Sequence, residues 1–505
     1  MSVKRNIVAN CVGQGVASLL SLALVPVYIG YLGIEAYALV GLFVVIQAWL
    51  GLLDLGMTPT LGREMARFTA GSVSIQAIRD LLRSLEIIYL GLAGVVAAVL
   101  LVAAGPLARH WLKVETLPID TVVGALSMLA IVVALRFCEG IYRGGLMGLQ
   151  QQVWVNVAGT LLALLRSLGA LVILARVSPT IEAFFIWQGL VSLLTLAVLG
   201  VRLNTSLPPA PRPSRFSWAV LNDIRGFAGG VFGISLLNVV LQNVDKLLLS
   251  RLLPLTEFGY FMLATTVGSG LLLVSAPIVL AVGPMLVRLL ETGNAPGLSL
   301  TYHKASQLAA VALAPAALVL SVFAQGVLLA WSGDAVLAER TAPILAVLAI
   351  GTFLNGLMQV PHQLQLAAGW TSLAMRIYLV TVAVMVPLLL WAVPVYGPVA
   401  AAAVWVCINI FYVLVQIPLM HRRLLPGELG RWYLFDVAMP VAAAAGVVAI
   451  AWLLRPDLAA GRLMWLGFLL GTGAAATIAA ALAASTILPR LVAVMDRARL
   501  RLGRN

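Results

Sequence analysis

Apolar runs of about twenty residues recur from one end of this sequence to the other, and each is long enough to cross the hydrocarbon of a bilayer. They can be laid down near residues 7–29, 36–56, 85–104, 121–148, 153–175, 181–201, 226–250, 258–287, 305–331, 342–368, 373–393, 397–420, 433–454 and 463–488, about fourteen in all. A segment immersed in lipid must satisfy its backbone polar groups internally, so runs of this length fold as helices. The expected architecture is an all-α polytopic membrane protein. Only 10% of the residues are charged, against about 25% in ordinary soluble domains. Prolines 26, 277, 315, 361 and 387 lie inside spans, where each leaves a backbone carbonyl to be satisfied elsewhere and marks a candidate bend.

The net charge of +13 could speak for nucleic acid, but the positions of the basic residues give a different account. With the N-terminus placed inside, 20 Lys and Arg fall in segments on the cytoplasmic side and 7 on the other. That is the asymmetry expected of a multi-pass protein with both termini in the cytoplasm, and it explains the basic balance without nucleic acid. Met1-Ser-Val-Lys-Arg precedes a full-length apolar run with no small-residue cleavage site, which reads as a first transmembrane helix and not a removed signal. Cys11, Cys138 and Cys407 are scattered through apolar runs and read as packing residues, with neither disulfide nor metal spacing.

A Pro-rich connector, Leu207-Pro-Pro-Ala-Pro-Arg-Pro-Ser214, separates six spans from the next six. Shifting the sequence by 221 residues places Ala38 on Gly259, Arg67 on Arg288 and Gly148 on Gly369, a weak repeat. An even number of spans between copies gives both the same orientation, the parallel arrangement of repeats. The expected organisation is a six-helix bundle over 1–205, a cytoplasmic linker over 206–225, a second six-helix bundle over 226–425, two additional spans over 426–490 and a basic tail over 491–505. The regions 55–82 and 421–432 are amphipathic and Arg-bearing, and are expected along the cytoplasmic interface.

Charges inside spans carry the functional signal. Arg136, Glu139 and Arg143 are spaced by three and four residues, which puts them on one helix stripe. A charge at bilayer depth costs on the order of 3 kcal/mol by insertion scales, so it must face protein or a water-filled cavity. Gly140, Gly144 and Gly148 form a neighbouring stripe that lets another helix approach closely. Arg166 lies near the middle of the fifth span. Further polar stripes comprise Asn10 and Gln14; Asn238, Gln242 and Asp245 with Lys246; Asn355, Gln359 and His362; and Asn409, Tyr412 and Gln416. These groups either line a shared cationic lumen, offering amides to a sugar and guanidinium forks to a phosphate, or hydrogen-bond neighbouring helices. Arg136 with Glu139 is either part of that lumen or a buried ion pair. Lys246 and Asp245 either face it or snorkel. Asp54 either caps a turn or binds an ion.

No Gly-rich phosphate loop, no metal-ligand cluster and no long extramembranous loop appears in the sequence. The chain therefore reads as no enzyme, with no cofactor and no metal.

The run Val-Pro-Val-Tyr-Ile-Gly-Tyr-Leu-Gly-Ile-Glu-Ala-Tyr-Ala-Leu39, followed by Leu-Leu-Asp-Leu-Gly-Met57 and Leu-Gly-Arg-Glu-Met-Ala-Arg67, resembles the polysaccharide and O-antigen flippases of the multidrug/oligosaccharidyl-lipid/polysaccharide (MOP) exporter superfamily. Asn-Val-Asp-Lys-Leu-Leu-Leu249, Glu-Phe-Gly-Tyr-Phe-Met-Leu-Ala264 and Gly-Leu-Met-Gly-Leu-Gln150 carry the same resemblance, which extends over essentially the whole chain. Ala38 departs from it, standing where the family usually has Gly. The resemblance implies an alternating-access transporter of the bacterial inner membrane. Its cargo would be an undecaprenyl-diphosphate-linked glycan of cell-surface polysaccharide or lipopolysaccharide synthesis, moved from the cytoplasmic to the outer leaflet with its prenyl tail in membrane lipid. Polysaccharide polymerase or export machinery are the implied partners. Direction requires consumption of product outside or a proton or sodium gradient, for which Glu139 and Asp245 are the candidate coupling carboxylates. A cation-coupled multidrug exporter is the alternative within the same superfamily.

Overall fold

The structure, a computed structural model, describes residues 20–484, with the side chains of 219–220, 223–235 and 237–238 outside the described set. Its helices are α1 Leu20–Leu32, α2 Ile34–Leu50, α3 Met57–Thr69, α4 Ile75–Pro106, α5 Ile119–Gly148, α6 Gln152–Arg176, α7 Ile181–Ser206, α8 Trp218–Leu252 and α9 Leu255–Glu291. They continue as α10 Ala295–Val322, α11 Ala324–Ser332, α12 Ala335–Ala367, α13 Thr371–Tyr396, α14 Pro398–Leu424, α15 Leu429–Leu453 and α16 Arg462–Ala483. Among the described residues 12 helices are long and apolar enough to cross a membrane. The chain is a multi-span, all-helical membrane protein, and α1 and α8 stand where the first and seventh spans are expected. Val102 and Leu463 are 80% and 85% exposed, a placement that lipid, not water, makes favourable.

Local chemistry sets the helix ends. Ser74, Thr180, Asn294 and Asp334 each accept the N–H three residues on, opening α4, α7, α10 and α12. Gly333 and Gly397, at φ 75° and 68°, close α11 and α13. Pro277, Pro315, Pro361 and Pro387 all lie within helices that continue through them.

The chain divides into two compact units, Met1–Gly259 and Tyr260–Asn505. This differs from a boundary at the 206–225 linker, because α8 packs against α2, α3 and α4 and so belongs with the first unit. In the second unit the last two helices are integrated, not appended. Val311, Val319 and Phe323 share a core with Ala444 and Val448 of α15 and Trp465 of α16.

The Pro-rich connector is non-helical, as its composition dictates, but it is pinned. Arg79 donates to the carbonyls of Asn204, Leu207 and Pro208, while the N–H groups of Arg212, Arg215 and Ser217 donate to the side chains of Gln76, Asp80 and Ser84. One face of α4 thus reads the linker backbone.

Positions 221 residues apart differ in backbone at the Asp54 turn. Leu55 and Gly56 adopt left-handed conformations, φ 48° and 76°, and break the first copy into α2 and α3. The corresponding Ala276 and Pro277 run through as continuous helix in α9. Asp54 fixes the break by accepting from the backbone N–H of Thr58 at 3.0 Å, the Thr58 hydroxyl at 2.5 Å and the Tyr89 hydroxyl. Capping is its observed role. The amphipathic α3 that follows lays its buried face, including Leu61 and Met65, into a protein core with Ile141 and Leu146 of α5.

Candidate functional site

The glycine stripe of α5 builds the floor on which the site rests. A Cβ on Gly144 would lie 2.8 Å from the Thr58 carbonyl oxygen, and one on Gly148 would collide with the backbone of Gly62. Only hydrogen fits at either position, so α3 and α5 meet backbone to backbone. With α5 held in this way, α7 and α6 close over its other faces. The Trp187 indole donates to the Arg166 carbonyl at 3.2 Å, locking α7 to α6.

A cavity of about 200 Å³ opens between α5, α6 and α7. Glu139 and Arg143 enter from α5, Asn156, Thr160 and Arg166 from α6, and Thr195 from α7. The absence of a side chain at Gly159 leaves room for Arg143, whose guanidinium nitrogen passes 3.7 Å from where a Cβ would stand. Arg143 is exposed and has no hydrogen-bond partner among the described residues.

Arg166 is held differently. Its Nη2 faces Glu139 Oε1 at 3.4 Å, Ser192 Oγ at 3.3 Å and Thr195 Oγ1 at 3.5 Å. All three contacts are longer than the roughly 2.8 Å of a tight charge-assisted bond. An anion arriving in the cavity therefore competes with weak partners. Two guanidinium groups and one carboxylate give the lining a net positive charge.

Arg136, expected in the same cavity, is not among its lining residues. Its Nη1 donates to Gln47 Oε1 at 3.0 Å and its Nη2 to Gln188 Oε1 at 2.9 Å, and the guanidinium stacks 4.6 Å from the centre of the Phe43 ring. It cross-links α2, α5 and α7. Glu139 is buried and bonded to Arg166, joining α5 to α6.

The other expected residues fall into three groups. Asn10 and Gln14 lie outside the described residues, and so does the side chain of Asn238. The Lys246 ammonium donates to the Gln242 carbonyl at 2.7 Å and pairs with Asp245 at 3.2 Å, while the Gln242 side chain is exposed. Asn355 donates to Asn409 at 3.0 Å and accepts from Gln359 at 3.5 Å, a bond between α12 and α14. Gln416 donates to Gln365 at 3.2 Å. The Asn355–Asn409 and Gln416–Gln365 bonds thus join α12 to α14, while the Gln359 bond stays within α12.

Sequence reasoning missed Gln47, Gln188, Ser192 and Thr195. The last three stand at spacings of four and three on α7, a polar stripe of the kind sought elsewhere. Among the described residues no cluster of His, Cys, Asp and Glu could hold a metal ion.

A family model described as "Polysaccharide biosynthesis protein" matches residues 82–338. No curated protein matches the chain by sequence. Among solved structures, "Lipid II flippase MurJ, inward closed conformation" superposes with a TM-score of 0.69 at 12% identity, covering 93% of this chain and 97% of that one. An inward-facing multidrug resistance MATE family transporter of the MOP superfamily gives 0.64 at 15% identity, covering 82% and 96%. The MATE multidrug transporter DinF-BH gives 0.59 at 14%, covering 83% and 95%. At these identities the likeness is one of fold.

Proposed function

Because this chain belongs to the polysaccharide biosynthesis protein family, whose model spans residues 82–338, we propose that it flips a polyprenyl-diphosphate-linked oligosaccharide from the cytoplasmic to the outer leaflet by alternating access. The observation that carries this reading is the cavity between α5, α6 and α7, where Arg143 has no hydrogen-bond partner among the described residues and Arg166 has only long ones. A diphosphate offers several acceptor oxygens matched to planar guanidinium forks. Asn156, Thr160 and Thr195 supply amide and hydroxyl partners nearby. A prenyl tail can stay in hydrocarbon while the charged head enters the protein. The fold likeness to MurJ, a lipid II flippase, is compatible with the same division of labour.

Arg136 supports the site from outside the cavity by holding α2, α5 and α7 together. Glu139 remains a candidate coupling carboxylate, since protonating it would release Arg166 to the cargo. Asp245 is already neutralised by Lys246. A drug exporter for cations is disfavoured by the excess of guanidinium over carboxylate in this lining.

Deletion of the gene in its host tests the reading. Lipid-linked sugar should accumulate on the inner leaflet, and the intact chain should clear it. Arg143→Ala and Arg166→Ala, expressed at normal level, should not. Clearance by both variants would take the cavity off the cargo's path.

A further inference from the structure

The second unit contains a buried imidazole with carboxylates on both sides. His303 of α10 is fully buried. Its Nδ1 contacts Asp436 Oδ2, and its Nε2 lies 3.2 Å from Glu428 Oε2. Glu428 immediately precedes α15, and Asp436 sits in the π-helical turn Trp432–Ala438 inside it. Ser299, one turn before His303, donates to Glu428 Oε1 at 2.8 Å, and Arg431 approaches Glu428 at 3.8 Å. Tyr302 stacks edge-on against both His303 and His421, and Tyr433 lies alongside Trp432. The titratable groups in contact with His303 are Tyr302 from its own helix and Glu428 and Asp436 from the segment opening α15; around them stand His421 of α14 on Tyr302, Arg431 on Glu428, and Tyr433, whose hydroxyl donates to the Val413 carbonyl.

Each of the two imidazole–carboxylate contacts needs a hydrogen between its heavy atoms. A neutral imidazole carries one N–H, so it can serve one carboxylate while its other nitrogen turns a lone pair toward an oxygen lone pair. Both contacts hold together only when an additional proton is present. Asp436 is the buried partner, and its Oδ1 has no hydrogen-bond partner among the described residues. It keeps the first hydrogen. Glu428 is 30% exposed in its side chain, so the second contact is the one open to water.

We propose that His303, Asp436 and Glu428 form a proton-binding site, in which a proton held between His303 and Glu428 fastens the segment joining α14 to α15 onto α10. On binding, a proton from water takes the Nε2 lone pair, and the new N–H bonds to Glu428. On release that N–H breaks, the proton leaves through the exposed carboxylate, and the Glu428 segment lifts from α10. As the coupling step of a flippase cycle the site rests on the function proposed above, with the proton as the ion used. The binding event itself does not depend on that reading.

Hydrogen exchange of the full-length protein in lipid nanodiscs, from about pH 5 to about pH 8 where an imidazole can titrate, reads the site directly. After correction for intrinsic rates, amides of residues 425–436 should exchange roughly tenfold faster at the high end, the effect of losing a charge-assisted bond. Glu428→Gln retains the acceptor for Ser299 and places an amide N–H against neutral Nε2, so the step should vanish with the segment closed. His303→Gln should also remove the step. An unchanged step in both variants, or none in the intact protein, overturns the proposal. In vesicles carrying lipid-linked oligosaccharide, a pH gradient should drive flipping by the intact protein and not by Glu428→Gln. A gradient response kept by Glu428→Gln overturns the coupling role. No flipping by the intact protein, with the exchange step present, refutes the flippase reading and upholds the proton site.

Discussion

Arg136→Ala separates two uses of charge at depth. The substitution removes two hydrogen bonds, at 3.0 Å to Gln47 and 2.9 Å to Gln188, and a stack on Phe43. In water, bonds to a charged group are worth about 1.5 to 3 kcal/mol each, and the cation–π contact adds about 1. Inter-helix hydrogen bonds measured in membranes average only about 0.6 kcal/mol, because the unfolded helices find other partners. The expected loss therefore lies between about 2 and about 7 kcal/mol, the lower figure being the membrane average for two bonds plus the stack and the upper the value in water for both bonds plus the stack. Thermal unfolding in detergent, beside Arg143→Ala as a control, measures it. Arg143 lacks a hydrogen-bond partner among the described residues, so its loss should leave the midpoint within about a degree or two, the surface-substitution range. Export should fall in both, but a lipid-saturated host at reduced temperature should restore it only for Arg136→Ala. If Arg136→Ala unfolds like the intact protein yet abolishes export, the guanidinium acts on cargo and the bracing argument fails.

Other substitutions probe the scaffold. Glu35 accepts from the N–H groups of Glu115, Thr116 and Leu117 and from the Thr116 hydroxyl; Glu35→Ala should cost about 3 kcal/mol or more by stranding those donors, and proteolysis at 112–118 should speed up. Gly148→Val drives a branched side chain into the Gly62 backbone, so it should prevent α3 from docking, seen as new accessibility of a cysteine placed at Met65. Asp80→Ala removes the acceptor of the Arg215 N–H and the partner of Arg212, and limited proteolysis should then cut within 208–217 with the helices intact. The Ser299 hydroxyl holds Glu428 below the usual carboxylate range, with the nearby His303 and Arg431 charges assisting against burial. A depressed carboxylate stabilises above its unfolded pKa, about 4, and loses that contribution as pH falls through the folded value. Ser299→Ala should shift the onset of that acid-side loss to higher pH, followed by exchange at 428–436.

The span pattern was legible because a bilayer imposes one length and one secondary structure on every crossing. The glycine stripe on α5 was legible for a related reason, since small residues at every fourth position have few other uses. What could not be read was pairing. Nothing in the local sequence around Glu35 says that it will collect the amides of 115–117, or that Arg79 and Asp80 will hold the linker, since each partner lies 80 to 135 residues away. His303 and Asp436 are 133 residues apart. Neither carries a local sign of the other, because no second titratable group falls at helical spacing from His303 within its own span.

The separation of Arg136 from Arg143 shows where a stripe argument stops. Seven residues on a helix return to within about 20° of the same azimuth, so the two guanidinium groups do leave α5 in nearly one direction. They also stand about 10 Å apart along its axis, and their surroundings differ by that much. At the level of Arg136 the neighbours are Phe43, Gln47 and Gln188, which together surround the cation with amide oxygens and an aromatic face. At the level of Arg143 stands Gly159, which withdraws a side chain and leaves a cavity. The cost of burying charge demands that Arg136 be compensated, and Gln47, Gln188 and Phe43 do so, whereas Arg143 is exposed. Azimuth alone does not reveal whether protein groups or an open cavity face the charge, and here Gly159 on the facing helix marks the open level.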